Sequence, residues 1–207
     1  VDPHNPLTPD FDRWTVTHSP TRPELSGHTL AAAGALEGVH PVDFLCDLVV
    51  GDELATLVDV PVLNRSREGA VQFLEDPFTL LGLGDAGAHV MTVTNYRYPT
   101  FLLAEMVHRS GEVALELAIN RMTAVPARLH GLTDRGELRV GAAADVCVID
   151  PEQLRLGEVT IRRDLPGGAP RLLQSGHGFR AVYVNGTPTI RDDQPTGATP
   201  GRMLSAG

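Results

Sequence analysis

The stretch VDVPVLNRSREGAVQFLEDPFTLLGLGDAGAHV, residues 58–90, decides the expected fold because its hydrophobic pattern changes twice. Residues 58–64 form a β-branched run that predicts a strand, and residues 67–77 carry apolar side chains at helical spacing. Residues 78–84 again predict a strand, and a second helical pattern follows over residues 99–110. Alternating strands and helices are typical of parallel βα units with right-handed crossovers. The sequence therefore predicts an α/β fold.

Polar residues follow each predicted strand at its carboxyl end. Asn64 ends the first run, Asp85 follows the second, and His89 lies further along the same loop. Ligand chemistry in βα units gathers on such loops, where a rigidly held carboxylate can bind a metal or act as a general base. An aspartate between glycines can equally accept hydrogen bonds from its own turn. The residues alone leave both interpretations of Asp85 open.

The segment NYRYP, residues 95–99, places Arg97 between two tyrosines on the same loop. A planar guanidinium binds a carboxylate through two parallel hydrogen bonds, so Arg97 is a candidate for binding a substrate carboxylate. The alternative is a surface loop anchored by its aromatic rings. Asn64 and His89 are further candidates for substrate binding.

The segment before this region predicts one short strand and two helices. The strand lies around Thr15 to Thr17, and the first helix is expected to begin with Ser26 as its N-cap. Pro41 is placed near the first turn of the second helix, where its missing N–H is tolerated. Gly38 separates the two helices.

The segment after residue 110 changes from helices to short strands. Residues 112–122 predict a helix, and Thr123 is expected to cap a further helix that closes at Gly131. Short strands separated by glycines follow, with Asn185-Gly186 as a two-residue hairpin turn. The predicted domains are therefore residues 1–131 and a small β domain with a C-terminal tail over residues 132–207.

Composition excludes several classes of partner. The chain has 207 residues and a formal net charge of -9, and an acidic balance without basic clusters argues against nucleic acid. No apolar run approaches the roughly 18 residues that span a bilayer, so we expect no membrane association and a cytoplasmic location. Cys46 and Cys147 are expected to be small buried hydrophobes without a disulfide.

Common catalytic motifs are absent from the sequence. It contains no phosphate-binding glycine loop, no G-x-S-x-G elbow and no Cys-x-x-Cys pair. The other histidines show neither a His-x-His pair nor an i, i+4 pair, so zinc ligation by them is not expected; they are His4, His18, His28, His40, His108, His130 and His177.

The segment MTAVPARLHGLTDRGELRVGAAADVCVIDP, residues 122–151, resembles the closing segment of amidohydrolase-superfamily enzymes. The VYVNGTPTIRD segment resembles their final hairpin. The residues that match the family pattern are Gly136, Leu138, Gly141, Ala144 and Asp145. This resemblance implies the C-terminal part of a TIM-like (β/α)8 metal-dependent hydrolase barrel, followed by a small β-sandwich segment.

Within the superfamily, RPELSGHTLAAAGALEGVHPVDFLCDLV and residues 60–90 look most like the N-acyl-D-amino-acid deacylases, or D-aminoacylases. The resemblance runs from about Trp14 to about Asp192. It implies that Asp85 follows the eighth barrel strand, contacts a catalytic zinc, takes a proton from the metal-bound water and hands it to the departing amine. Arg97 lies near the family's arginine for the substrate carboxylate, and His89 matches a histidine often present on this loop.

The family's remaining zinc ligands lie upstream of the region that this chain resembles. We therefore expect this chain to be part of the enzyme, holding strands seven and eight, with the N-terminal half of the barrel as its partner. One carboxylate does not hold zinc in water, so the chain alone should neither bind zinc tightly nor turn over substrate. Its unpaired strand edge favours association, and a homo-oligomer is a further expected state.

The resemblance implies hydrolysis of an N-acyl-D-amino acid to a carboxylate and a D-amino acid. One alternative is another amidohydrolase, such as a cyclic imide hydrolase or a deaminase, that acts on a different carbon–nitrogen bond. The other is a non-catalytic structural module that lacks the metal site. A free substrate carboxylate needs a cation, so Arg97 helps to discriminate among these activities.

Overall fold

The computed structural model describes residues 8–61, 66–82, 84, 88–92 and 94–204. The chain forms two compact units, Val1–Gly69 and Ala70–Gly207. The second unit runs across residue 132, where a domain boundary is predicted from the sequence, and that boundary stays a prediction. Among the described residues, each helix is too short or too polar to cross a lipid bilayer.

The first unit combines a small antiparallel sheet with two helices. Its elements are strand β1 (Thr15–His18), a 3-10 turn (Pro23–Leu25), helices α1 (Leu30–Glu37) and α2 (Pro41–Gly51), and strand β2 (Leu57–Asp59). The predicted strand and both predicted helices are confirmed. Strand β2 pairs antiparallel with β1, so within the described residues it does not start a parallel βα unit.

The helix ends of the first unit follow from local capping. The predicted cap at Ser26 is wrong, because Ser26 ends the 3-10 turn and the Thr29 hydroxyl accepts the Ala32 N–H at 3.2 Å. Gly38 ends α1 in the left-handed conformation that glycine adopts without strain. A Cβ on Gly34 would lie 3.0 Å from the Val39 carbonyl oxygen, so this glycine lets α1 approach the chain that enters α2.

A buried carboxylate lies at the polar centre of the first unit. Asp52 is only 4% exposed, and it accepts hydrogen bonds from Ser19 Oγ (3.0 Å), Thr21 Oγ1 (2.5 Å), Thr21 N (3.1 Å) and Thr56 Oγ1 (2.5 Å). Desolvation raises the pKa of Asp52, but the donors from Thr21, Thr56 and Ser19 outweigh it and hold that pKa well below its ordinary value. Asp52 therefore stays ionised and joins the loop after β1 to the end of α2.

Helices pack against a strand-rich region in the second unit. The helices are α3 (Arg67–Glu75), which begins in the first unit, a 3-10 turn (Asn95–Arg97), α4 (Tyr98–Phe101), a π-helical segment (Leu102–Arg109), α5 (Leu115–Met122) and α6 (Ala124–Leu129). Ala118 and Met106 belong to the apolar core that these helices share with Leu154. The predicted helices are confirmed, although the Thr123 hydroxyl donates backward to the Ile119 carbonyl (2.7 Å) and does not cap α6.

Every strand pairing described in the second unit is antiparallel. A four-stranded sheet has the order β3-β6-β7-β8, and β4 pairs with β5. The strands are β3 (Val146–Ile149), β4 (Arg155–Arg162), β5 (Arg171–His177), β6 (Phe179–Val184), β7 (Thr187–Arg191) and β8 (Gln194–Pro195). The hairpin turn at Asn185-Gly186 is confirmed, since both residues have positive φ, 48° and 77°.

Two further expectations from the sequence are wrong. Residues 78–82 and Gly84, predicted as a parallel strand, form no strand, while Leu83 lies outside the described residues. A parallel strand takes its hydrogen bonds from neighbours on both sides, and the described residues of this chain supply none. The two cysteines are exposed thiols and not buried hydrophobes.

Candidate functional site

The predicted site residues fall partly outside the described residues. Asp85 and Asn64 both lie there, so their roles stay predictions. His89 and Arg97 are described, on the segment that leads from Gly84 into α4. The local structure of this segment shows what positions them.

His89 lies in a tight turn. Its φ is 47°, and its carbonyl accepts hydrogen bonds from Thr92 N (2.7 Å) and Thr92 Oγ1 (3.1 Å). The residue is exposed, so its imidazole is open to solvent. The turn holds the backbone at His89, and no described contact brings this side chain to Arg97.

Arg97 is half-buried and held at one end of its guanidinium. Its Nη1 donates to Thr94 Oγ1 at 2.7 Å and to Gln174 Oε1 at 2.5 Å. Both acceptors are neutral groups, so neither compensates the positive charge of Arg97. The side chain is therefore directed by the protein, and among the described residues its hydrogen-bond acceptors are neutral.

Gln174 is the residue that joins this loop to strand β5. Its backbone N–H donates to the Tyr96 hydroxyl at 2.8 Å, and that hydroxyl donates to the Gln174 carbonyl at 3.4 Å. Its side-chain Nε2 donates to the Gly157 carbonyl at 2.7 Å. We call the set Thr94, Tyr96, Arg97 and Gln174 the Gln174 clamp. Tyr96 therefore anchors the loop through its hydroxyl group, whereas an anchor through its ring was expected.

The β4–β5 hairpin holds the loop at two further positions. Leu172 N donates to the Val90 carbonyl at 2.8 Å. A Cβ on Gly176 would lie 3.0 Å from Thr100 Oγ1 and 2.9 Å from Phe179 Cε2, so β5 closely approaches the start of α4. The hairpin therefore holds the loop at Val90 and at Thr100.

The far end of the hairpin is closed by an ion pair. Arg171 Nε and Nη2 donate to the two carboxylate oxygens of Asp164 at 2.6 and 2.7 Å. These hydrogen bonds lower the pKa of Asp164 and raise that of Arg171. Both side chains are partly exposed, so the pair contributes little to stability and mainly fixes the shape of the turn.

Sequence analysis missed this hairpin and the residues that it contributes. The signal was Val159 and Ile161 alternating with polar residues, followed by the turn-forming Pro166, Gly167 and Gly168. Nothing in that pattern identifies Gln174 as a partner of Arg97, because the two residues lie 77 positions apart.

A buried arginine supports the segment between α3 and the Arg97 loop. Arg121 on α5 is 7% exposed, and its Nη2 donates to the carbonyls of Glu75 and Asp76, each at 3.0 Å. Its Nη1 donates to the Thr79 carbonyl at 3.4 Å, whereas its Nε has no hydrogen-bond partner among the described residues. Glu75 ends α3, so the guanidinium caps the negative end of that helix.

Two of the residues that match the family pattern, Gly136 and Asp145, have structural roles. Asp145 accepts the Asn185 N–H at 2.7 Å and is paired with Arg135, which also donates to the Asn185 side chain at 3.0 Å. A Cβ on Gly136 would lie 2.7 Å from the Ala127 Cβ, and the φ of Gly136 is 83°. These residues hold the final hairpin turn and α6 against one loop.

The described residues alone do not fit a zinc ion. Among them there is no group of three or more His, Cys, Asp or Glu side chains that could hold a metal. A catalytic zinc requires about three protein ligands. Any metal would therefore need Asp85 or ligands from outside the described part of the chain.

The chain combines antiparallel strands with packed helices, and its Asp145 loop carries the residues that resemble the closing segment of amidohydrolases. The model of the "Amidohydrolase family" matches residues 4–190, and the chain belongs to that family. It is 29% identical over 200 residues to an N-acyl-D-aspartate deacylase of Alcaligenes xylosoxydans xylosoxydans, covering 94% of this chain and 36% of that protein. A D-aminoacylase from the same organism is 28% identical, with 93% of this chain and 37% of the relative covered.

Solved structures show the same fold. A crystal structure of D-aminoacylase, described as defining a novel subset of amidohydrolases, has a TM-score of 0.51 and 24% identity. The likeness covers 93% of this chain and 37% of that one. A second D-aminoacylase structure with the same TM-score is described by the functional role of its binuclear metal centre. The chain thus spans little more than a third of the length of the proteins it matches.

Proposed function

We propose that the complete protein hydrolyses the amide bond of N-acyl-D-amino acids and that this chain is one part of that enzyme. The observation that carries the proposal is the held guanidinium of Arg97, whose described acceptors, Thr94 and Gln174, are both neutral. A guanidinium that neutral groups hold in place suits a small substrate with a free carboxylate. The deacylase names of relatives that match 94% of the chain support this choice of substrate.

Asp85 is proposed as the general base and acid. Its carboxylate accepts a proton as water attacks the amide carbon, and it returns that proton to the departing nitrogen. Asn64 and His89 are proposed to contact the substrate. In this arrangement the acid acts at the scissile bond and Arg97 holds the other end of the substrate.

The proposal places this chain at the end of a TIM-like barrel. Residues 1–131 would form the C-terminal part of the barrel with a preceding insertion, and residues 132–207 would form part of the small β-sandwich. The N-terminal half of the barrel is then the partner of this chain. A zinc ion bound in the complete barrel would polarise the amide carbonyl of the substrate and lower the pKa of a metal-bound water. Asp85 would be this chain's contribution to the metal ligands.

The proposed activity is tested on the complete protein with a panel of substrates. We expect turnover of N-acetyl-D-amino acids that exceeds turnover of their L-isomers, a cyclic imide or a nucleobase. Preferred turnover of the imide or nucleobase would replace the proposal with another amidohydrolase activity. No turnover, together with no bound metal by elemental analysis, would indicate a non-catalytic module.

Replacing Asp85 tests the proposed proton transfer. Asp85→Asn in the complete protein should lower kcat by about 10²- to 10⁴-fold, because general acid–base catalysis contributes that much. The circular dichroism spectrum and unfolding midpoint should stay close to wild type. A near-wild-type rate in this variant would remove Asp85 from the mechanism.

The isolated 207-residue chain provides a separate test. It should hold less than stoichiometric zinc after dialysis and show no deacylase activity. Stoichiometric zinc with turnover in the isolated chain would contradict the proposal that the rest of the barrel is required.

A further inference from the structure

We infer that Gln174 is a positioning residue that directs Arg97 and thereby sets the preference for substrates with a free carboxylate. The inference rests on the proposed function, since it concerns the substrate that Arg97 binds. It assigns a role to the β4–β5 hairpin, which lies 77 positions from Arg97 at the point of contact.

All four polar groups of Gln174 are engaged by the clamp and the hairpin. Tyr96 takes both its backbone N–H and its carbonyl, Arg97 Nη1 donates to its Oε1, and its Nε2 donates to the Gly157 carbonyl. A side-chain amide whose oxygen and nitrogen each have a partner is fixed in one orientation. Its oxygen is therefore presented to Arg97 and its nitrogen is turned away.

A β-bulge makes the Gly157 carbonyl available to Gln174. The pairing of β4 with β5 shifts register between Leu156 and Val159, and Gln174 pairs with Val159. Residues within such a shift are left out of the ladder, so the Gly157 carbonyl is free to accept a side-chain donor. The bulge thus orients the amide that orients Arg97.

The choice of a neutral acceptor has a consequence for binding. An arginine has several rotatable bonds, and fixing it before the ligand arrives reduces the entropy lost on binding. A carboxylate at position 174 would also fix Arg97, but it would compete with the substrate for the guanidinium. The amide oxygen holds Nη1 without that competition. Both described acceptors use Nη1, so the clamp leaves the Nε–Nη2 edge facing away from its two acceptors.

The test compares two variants in the complete protein on two substrates. Gln174→Glu and Gln174→Met are assayed with an N-acetyl-D-amino acid and with the same compound carrying a primary amide in place of its carboxylate. We expect KM for the carboxylate substrate to rise about tenfold in Gln174→Met, and further in Gln174→Glu, because a charge-assisted interaction is weakened. Its kcat should change by less than about threefold, and KM for the amide substrate should stay near wild type.

Thr160→Val is the matched control. Thr160 lies on the same hairpin, and its hydroxyl donates to the Leu173 carbonyl within the hairpin at 3.4 Å. This variant should keep both KM values. Equal losses on the two substrates, or a loss in kcat alone, would overturn the assignment of Gln174 to carboxylate recognition.

Hydrogen exchange distinguishes failure of the clamp from failure of the proposed function. Amides in a peptide covering residues 88–98 should exchange faster in Gln174→Met than in wild type and in Thr160→Val. If the wild-type protein hydrolyses no N-acyl amino acid, the proposed function fails while faster exchange still supports the clamp. Unchanged exchange in Gln174→Met would overturn the clamp itself.

Discussion

Asp52 in the first unit and Arg97 in the second are both charged groups held by neutral partners, but they are held to different degrees. Asp52 is 4% exposed, and donors reach both of its carboxylate oxygens. Arg97 is half-buried, and its described bonds both involve Nη1. The carboxylate of Asp52 is thus satisfied by groups of the fold, whereas the proposed function assigns the charge of Arg97 to a substrate.

Arg121 is intermediate between these two groups. It is 7% exposed and donates to three backbone carbonyls, while its Nε lacks a described partner. Its acceptors all belong to the chain around the end of α3. We therefore group it with Asp52 as a structural charge. Stability measurements on substituted proteins test this ordering.

The largest loss of stability is expected for Asp52→Asn. The amide would present a donor where Ser19, Thr21 and Thr56 all donate, leaving buried donors without an acceptor. The denaturation midpoint should fall by several degrees, with faster hydrogen exchange in peptides from the first unit. Asp47→Asn, an exposed carboxylate on α2, should leave both unchanged. Equal effects of the two substitutions would contradict the structural role of Asp52.

The stability contributed by Asp52 should depend on pH. Its pKa is lower in the folded state than in the unfolded chain, so ionisation favours folding above about pH 4. That contribution is lost as the pH falls further, because the unfolded chain then binds a proton that the folded state does not. Denaturation midpoints measured from neutral pH to about pH 2 should fall less steeply in Asp52→Asn than in wild type. An equal pH dependence of the midpoint in the two proteins would show that other carboxylates cause the loss of stability in acid.

A smaller loss is expected for Arg121→Met. The carbonyls of Glu75, Asp76 and Thr79 would lose their donor, which should cost about 1–3 kcal/mol of unfolding free energy. Methionine fills a similar volume, which limits the packing loss. Chemical denaturation measures the change, and Arg109→Met, at an exposed i, i+4 ion pair, is the control. An Arg121→Met protein as stable as wild type would show that Arg121, unlike Asp52, is not a structural charge.

The smallest loss is expected for Arg97→Met. In the proposed function its charge serves the substrate and not the fold, so the unfolding free energy should change by less than about 1 kcal/mol. In the complete protein, however, KM for N-acyl amino acids should rise by about tenfold or more, because the carboxylate loses its cation. Denaturation and steady-state kinetics together give both values. A large loss of stability with an unchanged KM would show that Arg97 is a structural charge like Asp52.

Much of the local structure was predictable because its causes are local. Hydrophobic spacing predicted the helices at residues 41–51 and 67–75, and Asn185-Gly186 predicted its hairpin. Capping was less predictable, since Ser26 and Thr29 both suit a helix start and only the surrounding structure selects one. The strand predicted over residues 78–84 failed in its described part, because a strand exists only where a neighbour accepts its hydrogen bonds.

The sequence by itself determined the amphipathic helices, the glycine turns and the motif around Asp145 that marks the family. It also identified Arg97 as a residue of interest, because arginine chemistry is a property of the side chain alone. Only the tertiary structure decided that Gln174 meets Arg97 and that Asp52 is ringed by hydroxyls. Such contacts join residues distant in the chain, and their geometry depends on strand register and packing that no local pattern encodes.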